Sequence, residues 1–292
     1  MSRRPLSPDQ LFPVGRNDII ARMLTLSTGV RVRVAESGPR SGRPVVMLHG
    51  WAASMYSYRH AFERLPVHGM RAIAVDLRGH GLSDKPSHAG AYSLDAYCAD
   101  LDALLNALEL PAAALIGQSM GGGIALRFAI TRPERVTKLA LINPTGLVRI
   151  VGRNALRVLP RSVVSAIGHR LVPRWSAGLI LRYVAYGDPS KVGDRDIDEY
   201  WSPTQLAGYV YAARSALAEF EWGPISDAEA ASLTVPTVVI LGTRDRLIRN
   251  TADAARRLRE SSLCRMAGGH CVHEESPAEV YGAICRFLSG SS

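Results

Sequence analysis

An α/β layer fold, with a mostly parallel, doubly wound sheet interrupted by an inserted helical cap, is what this sequence predicts. Three observations carry the prediction. Short β-branched apolar runs alternate with helical patterns through the first half of the chain and return near its end. Several of these runs are continuously apolar, the pattern of strands buried on both faces. The rhythm breaks from about Leu147 to Ala228, where helical patterns continue without a convincing strand. A chain of 292 residues has room for one large core with such an insertion. The reading divides it into a first part of the core over 1–146, a cap over 147–228 and a second part of the core over 229–292.

The elements follow in order. Val30 to Val34 alternates with period two and predicts an antiparallel strand. Pro44 to Gly50 and Ala72 to Asp76 predict parallel strands, with a short helix between them over Tyr58 to Leu65. Ser93 is placed to cap a helix whose apolar face carries Leu94, Tyr97, Leu101, Leu104, Leu105 and Leu108. Ala112 to Gly117 is the next buried strand. A helix from Met120 to about Thr131 follows, stopped by Pro133, and Val136 to Asn143 is another strand. Beyond the cap come a strand over Pro236 to Gly242, a helix over Thr251 to Arg259 and a short strand over Leu263 to Ala267. The last element is a helix over Pro277 to Leu288, with proline in its first turn.

Composition excludes several function classes. Apolar residues at 47% and charged residues at 21% are near the globular average, which argues against disorder and coiled coil. No apolar run approaches the ~18 residues of a membrane span, and no apolar stretch follows the basic N-terminus as a secretory leader would require. The net charge of +9 comes without a Lys/Arg block or a zinc-finger or RNA-binding signature, so no nucleic-acid partner is expected. Cys98, Cys264, Cys271 and Cys285 lack paired spacing and read as free thiols in a reducing, cytoplasmic setting. No His/Asp/Glu cluster has ligand spacing, so neither a metal nor a cofactor is expected.

The chemistry concentrates in Gly117-Gln-Ser119-Met-Gly121, between a buried strand and a helix. A G-x-S-x-G segment in that setting forms a sharp turn that lifts the serine hydroxyl above the sheet at a helix N-terminus. An ordinary Gly/Ser turn is the bland alternative. Serine needs a base, and the base needs an orienting carboxylate. Asp245 follows the strand ending at Gly242, and His270 follows Gly268-Gly269 after the last strand. His273 is a rival base, placed here as a buttress of the loop. Asp227 and Asp253 are rival carboxylates, one ahead of the strand and one too far beyond it. A solvated Asp245 paired with Arg244 or Arg246 is the alternative without chemistry.

These residues and two further motifs resemble the α/β-hydrolase-fold serine hydrolases of the capped, single-domain type. The match runs in family order through His49-Gly50-Trp51, Asp76-Leu-Arg78-Gly79-His-Gly81-Leu-Ser83, the Ser119 turn, Leu241 to Asp245 and Gly269-His270. The resemblance implies Ser119 as nucleophile, His270 as base and Asp245 as its partner. It also implies an oxyanion hole made by the backbone N–H groups of Trp51 and Met120. His49 and Gly50 would shape the loop, and Asp76 to Ser83 would be a structural turn with an ion pair.

Ester hydrolysis through an acyl-enzyme on Ser119 is the expected activity. Hydrolysis of a carbon–carbon bond in a ketonic, meta-cleavage-type substrate is the alternative within the family, and Gln118 and Cys271 depart from its usual residues. Relatives that open epoxides or alkyl halides use aspartate where this chain has Ser119. A non-catalytic ligand-binding protein on the same scaffold is the alternative of another class.

The cap holds nine of the chain's 19 aromatics, from Trp175 to Trp222, an enrichment that suits either an apolar acyl pocket or cap-to-core packing. A small apolar or amphipathic acyl substrate is the expected partner. Arg149, Arg153, Arg157 and Arg161 recur every four residues and make a basic stripe on a helix. Such a stripe could steer an acidic substrate or rest on an anionic membrane, though a solvated face is its commoner meaning.

Overall fold

Strands β1 (Ile20–Thr25), β2 (Arg31–Ser37), β3 (Arg43–Leu48), β4 (Met70–Val75), β5 (Ala113–Gln118), β6 (Val136–Ile142), β7 (Thr237–Gly242) and β8 (Ser261–Met266) form one sheet. Its order is β1-β2-β4-β3-β5-β6-β7-β8. The first two pairings are antiparallel and the rest parallel. The computed structural model describes residues 4–148, 172–248, 253, 255–259 and 261–290.

Period-two geometry sorts each central strand between two cores. Val46 and Leu48 of β3 join Ile73, Val75 and Leu115 on one face. Val45 and Met47 join Ala72, Ala74 and Ile116 on the other. Both faces are apolar because helices cover both. The first is covered by α2 (Leu94–Ala107) and α3 (Met120–Thr131), the second by α1 (Ala61–Arg64) and α9 (Pro277–Ser289). Ser93 caps α2, its hydroxyl accepting from Ala96 N at 3.2 Å.

The expected mostly parallel, doubly wound sheet is therefore present. The expected helix over Tyr58 to Leu65 is instead a 3₁₀ turn, Met55–Tyr58, followed by the single turn of α1. Strand β1 was not expected; it lies at the sheet edge and its residues are mostly exposed. Of the expected helix over Thr251 to Arg259, residues 251, 252 and 254 lie outside the described residues, and 256–259 form turns and a bend instead of a helix.

Between β6 and β7 the described residues hold helices and no strand. These are α4 (Arg174–Ile180), continued by a π-type turn at Leu181–Ala185, then α5 (Asp194–Trp201), α6 (Tyr209–Glu219) and α7 (Asp227–Ser232). After β8 come the single-turn α8 (Val272–Glu275) and then α9. The aromatics of this connection divide by location. Phe220 and Trp222 belong to the core cluster around α2 and α3, and Tyr186 is buried, whereas Trp175 and Tyr183 lie on the surface. Arg149, Arg153, Arg157 and Arg161 lie outside the described residues.

Candidate active site

The strand ends of β3, β5, β6, β7 and β8 converge on one edge of the sheet. Ser119, between β5 and α3, has φ 52° and ψ −117°, a left-handed conformation that side chains rarely adopt and that costs about 1–3 kcal/mol. Its backbone is held against that strain: Ser119 N donates to Ile142 O at 3.0 Å, and Thr145 N donates to Ser119 O at 3.0 Å. Met120 opens α3, so its N–H lacks a partner within the helix and points from the positive end of the dipole. Gly121 is required here: a Cβ on it would lie 2.0 Å from Leu48 O, at the end of β3. This close approach brings the His49-Gly50-Trp51 loop beside the serine turn. Trp51 is fixed from the other side, its Nε1–H donating to Ala213 O of α6 at 2.8 Å.

Asp245 and His270 meet across the ends of β7 and β8. His270 Nδ1 lies 2.8 Å from Asp245 Oδ2, and both side chains are buried. The other carboxylate oxygen, Oδ1, accepts from Leu247 N at 2.7 Å and Ile248 N at 3.0 Å, so the loop itself clamps the acid. In the tautomer whose Nδ1–H donates to the carboxylate, the ring's lone pair is on Nε2. At Gly242 a Cβ would sit 2.1 Å from Gly269 O, so a side chain there would push the two loops apart. Asp227 and Asp253, the rival carboxylates, pair instead with Arg257 and Arg256.

The serine turn and the histidine loop are joined through amides. Gln118 Nε2 donates to His270 O at 3.2 Å, and Asn143 Nδ2 donates to the same oxygen at 2.9 Å. Asn143 Oδ1 accepts from Gly242 N at 2.9 Å, so one side chain at the end of β6 ties β7 to the histidine loop. Among the described residues Ser119 Oγ makes no hydrogen bond to the imidazole. Sequence reasoning did not single out Asn143; its one local signal is an Asn at a strand end, where its φ of 41° is tolerated.

Sequence reasoning also passed over Glu274 and Glu275. Glu275 accepts from Gly269 N at 2.5 Å on one side and from Gly187 N and Asp188 N on the other. Cys271 N donates to Ala185 O at 2.9 Å. Glu274, fully buried, accepts from Arg59 at 2.5 Å, Tyr200 OH at 2.6 Å and Tyr186 OH at 2.9 Å. Burial is the largest single influence and works to raise its carboxyl, but the Arg59 charge, His273 and the hydrogen bonds from Tyr200 and Arg59 together outweigh it and hold the carboxyl below the usual carboxylate range.

His49 is a satisfied loop histidine: Leu77 N donates to its Nε2, and Nδ1 lies 2.8 Å from Gly50 O. The Asp76–Ser83 segment is a structural turn. Asp76 accepts from Met55 N and Leu82 N, and Arg78 pairs with Asp100 on α2. His273 buttresses by packing, its ring 5.5 Å from that of Tyr58, with neither nitrogen hydrogen-bonded.

Burial pushes His49 and His273 down from 6.5 to about 4 and His80 to about 3. All three rings stay neutral in the fold while the unfolded chain protonates them below pH 6.5. Their contribution is therefore complete above pH 6.5 and is lost as pH falls toward 4, by about 1.4 kcal/mol per unit for each ring. Urea midpoints measured from pH 7.5 down to 4.5 should fall steeply below 6.5, with a shallower fall in His273→Met. A flat profile would contradict the buried, neutral assignment.

Comparison with known proteins agrees with this architecture. A family model described as the alpha/beta hydrolase fold matches residues 43–277. The chain is 31% identical to a non-heme chloroperoxidase of Streptomyces lividans, over 80% of this chain and 84% of that one. It is 25% identical to mouse epoxide hydrolase 4, over 89% of this chain and 77% of that one. Among solved structures, a meta-cleavage product hydrolase from Pseudomonas fluorescens superposes with a TM-score of 0.77 at 21% identity, covering 94% of this chain and 99% of the other. With strand order, loop positions and family match in agreement, the chain belongs to the α/β hydrolase fold family.

Proposed function

We propose that the chain is a serine hydrolase of carboxylic esters, with residues 147–228 acting as a cap over the site. The observation that carries this reading is the pairing of a strained Ser119 turn with a clamped Asp245–His270 couple on one sheet edge. Ser119 Oγ attacks the ester carbonyl while His270 Nε2 takes its proton. Asp245 holds the ring and stabilises the imidazolium that results. The Trp51 and Met120 N–H groups receive the oxyanion. Collapse of the tetrahedral intermediate expels the alcohol, protonated by His270, and leaves an acyl-Ser119. Water, deprotonated by His270, then releases the acid. The likeness to an epoxide hydrolase does not bring epoxide opening here, because serine stands at position 119 where the enzymes using that chemistry carry aspartate.

A fluorophosphonate probe tests the proposal directly, and it also separates an enzyme from a binding protein on the same scaffold. Labelling of the folded protein, traced by mass to the Ser119 peptide and absent after denaturation, is the expected result. A folded protein that stays unlabelled would sink the proposal. The base is tested by comparing two variants on one nitrophenyl ester. His270→Ala should lose about 10⁴-fold or more in kcat. His273→Ala, which empties a packing site, should lose stability and less than tenfold in kcat. The reverse ranking would move the base to His273.

A further inference from the structure

The described residues include nine large apolar side chains exposed to solvent, and four of them sit within one stretch of nine residues. These are Trp175, Leu179, Ile180 and Tyr183, on α4 and the turn that continues it, with exposures from 48% to 68%. Trp175, Leu179 and Tyr183 are spaced four apart and share one helix face. A fifth, Leu247, lies in the Asp245 loop, which Arg246 ties to this helix by donating to Tyr183 O at 2.5 Å. Scattered exposed hydrophobics need no explanation, but a contiguous group rimmed by polar residues marks a surface that something covers.

The charge distribution says what would cover it. From Arg135 to Gly187 the sequence holds nine Arg and Lys residues and no Asp or Glu. Nine equals the formal net charge of the whole chain, so the remaining residues are balanced and the basic excess belongs to the stretch that contains α4. Arg182, in the turn that continues α4, and the exposed Arg246, bonded to Tyr183 O, lie beside the apolar group, and the exposed Arg244 precedes Asp245 in the same loop. Three acids lie nearby: Asp194 and Asp198 pair with Arg174 at the start of α4, and Asp188, whose carboxyl is lowered mainly by its bonds to Ser190, has Arg244 close by, which leaves Arg182 and Arg246 beside the apolar group. A protein partner would need matched polar groups as well as apolar ones. A lipid surface asks only for apolar and aromatic side chains that enter the headgroup layer and for cations that meet its charge, and Trp and Tyr are the residues favoured at that depth.

We infer that the exposed face of α4, formed by Trp175, Leu179, Ile180 and Tyr183, docks on an anionic membrane surface. Docking there turns the Asp245 loop toward the bilayer. This inference concerns binding alone and stands whether or not the ester-hydrolase reading holds.

Cosedimentation of the full chain with vesicles tests it, using phosphatidylglycerol mixed with phosphatidylcholine and, separately, phosphatidylcholine alone. The decisive variant is Trp175→Ser/Leu179→Ser/Tyr183→Ser, whose sites are exposed enough to leave the fold in place. A far-UV spectrum and melting temperature check that point. Wild type should bind the anionic vesicles at least tenfold more tightly than the neutral ones, and high salt should weaken that binding. The triple variant should lose at least tenfold while hydrolysing a water-soluble ester at the wild-type rate. Absence of binding to anionic vesicles, or binding that the triple variant leaves intact, would overturn the inference. So would a wild-type dimer in sedimentation equilibrium that the triple variant dissociates, which would put a second copy on this face.

Discussion

Ser119→Ala should abolish ester turnover, with a loss of about 10⁶-fold in kcat and no loss of fold. In comparable Ser-His-Asp enzymes, removing the nucleophile costs about that much, and the oxyanion donors and binding alone retain ~10³–10⁴-fold over water. Alanine keeps the strain of the turn, because φ 52° with ψ −117° disfavours any residue with a Cβ. Glycine removes it. Ser119→Gly should therefore be as inactive as the alanine variant yet more stable than wild type by about 1 kcal/mol, a trade of strain for function. Nitrophenyl ester kinetics and urea unfolding of the two variants test both halves. Residual hydrolysis near the wild-type rate would remove Ser119 from the chemistry, and a destabilised glycine variant would remove the strain.

The largest stability effect should come from Glu274→Ala. The carboxylate is fully buried and receives Arg59, Tyr186 and Tyr200. Its removal orphans two hydroxyls and leaves Arg59, itself largely buried, with Asp196 at 3.0 Å as its one charged partner among the described residues. Breaking one side of a buried pair costs about 3–5 kcal/mol, because the remaining charge stays desolvated. For a domain of this size that corresponds to roughly 10 °C in Tm. Calorimetry of Glu274→Ala beside Glu274→Gln should show a smaller drop in the amide, which still accepts from the tyrosines. A loss under 1 kcal/mol in the alanine variant would mean that Asp196 alone satisfies Arg59.

What the sequence revealed and what it withheld follow from the range of the interactions. Strands β3 to β7 announce themselves because burial on both faces leaves uninterrupted apolar runs. The Ser119 turn announces itself because its geometry is set by five consecutive residues. Strand β1 carries no such signal: Ile20-Ala-Arg-Met-Leu-Thr25 faces solvent along most of its length and is defined by its pairing with β2. Asn143 and Glu275 were equally silent. Asn143 reaches Gly242 and His270, 99 and 127 positions away, and Glu275 reaches Gly187, 88 positions away, as well as the nearby Gly269; no local pattern marks the distant contacts. The aromatics between β6 and β7 were visible as a count but not as places. Tyr186 and Tyr200 serve Glu274, Phe220 and Trp222 join the core, and Trp175 and Tyr183 face outward.

The grip of Glu275 on residues 187 and 188, with Cys271 N on Ala185 O, bears on how this protein can be re-engineered. Chimeras that exchange the β6–β7 helices for those of a relative treat that region as a detachable module. Here the module and the histidine loop are two halves of one joint. A donor segment that lacks backbone donors at the positions of Gly187 and Asp188 leaves the buried Glu275 carboxylate bound to Gly269 N but without its two donors across the joint. Transplants should therefore move residues 185–191 and 269–275 together, as a matched pair of splice sites.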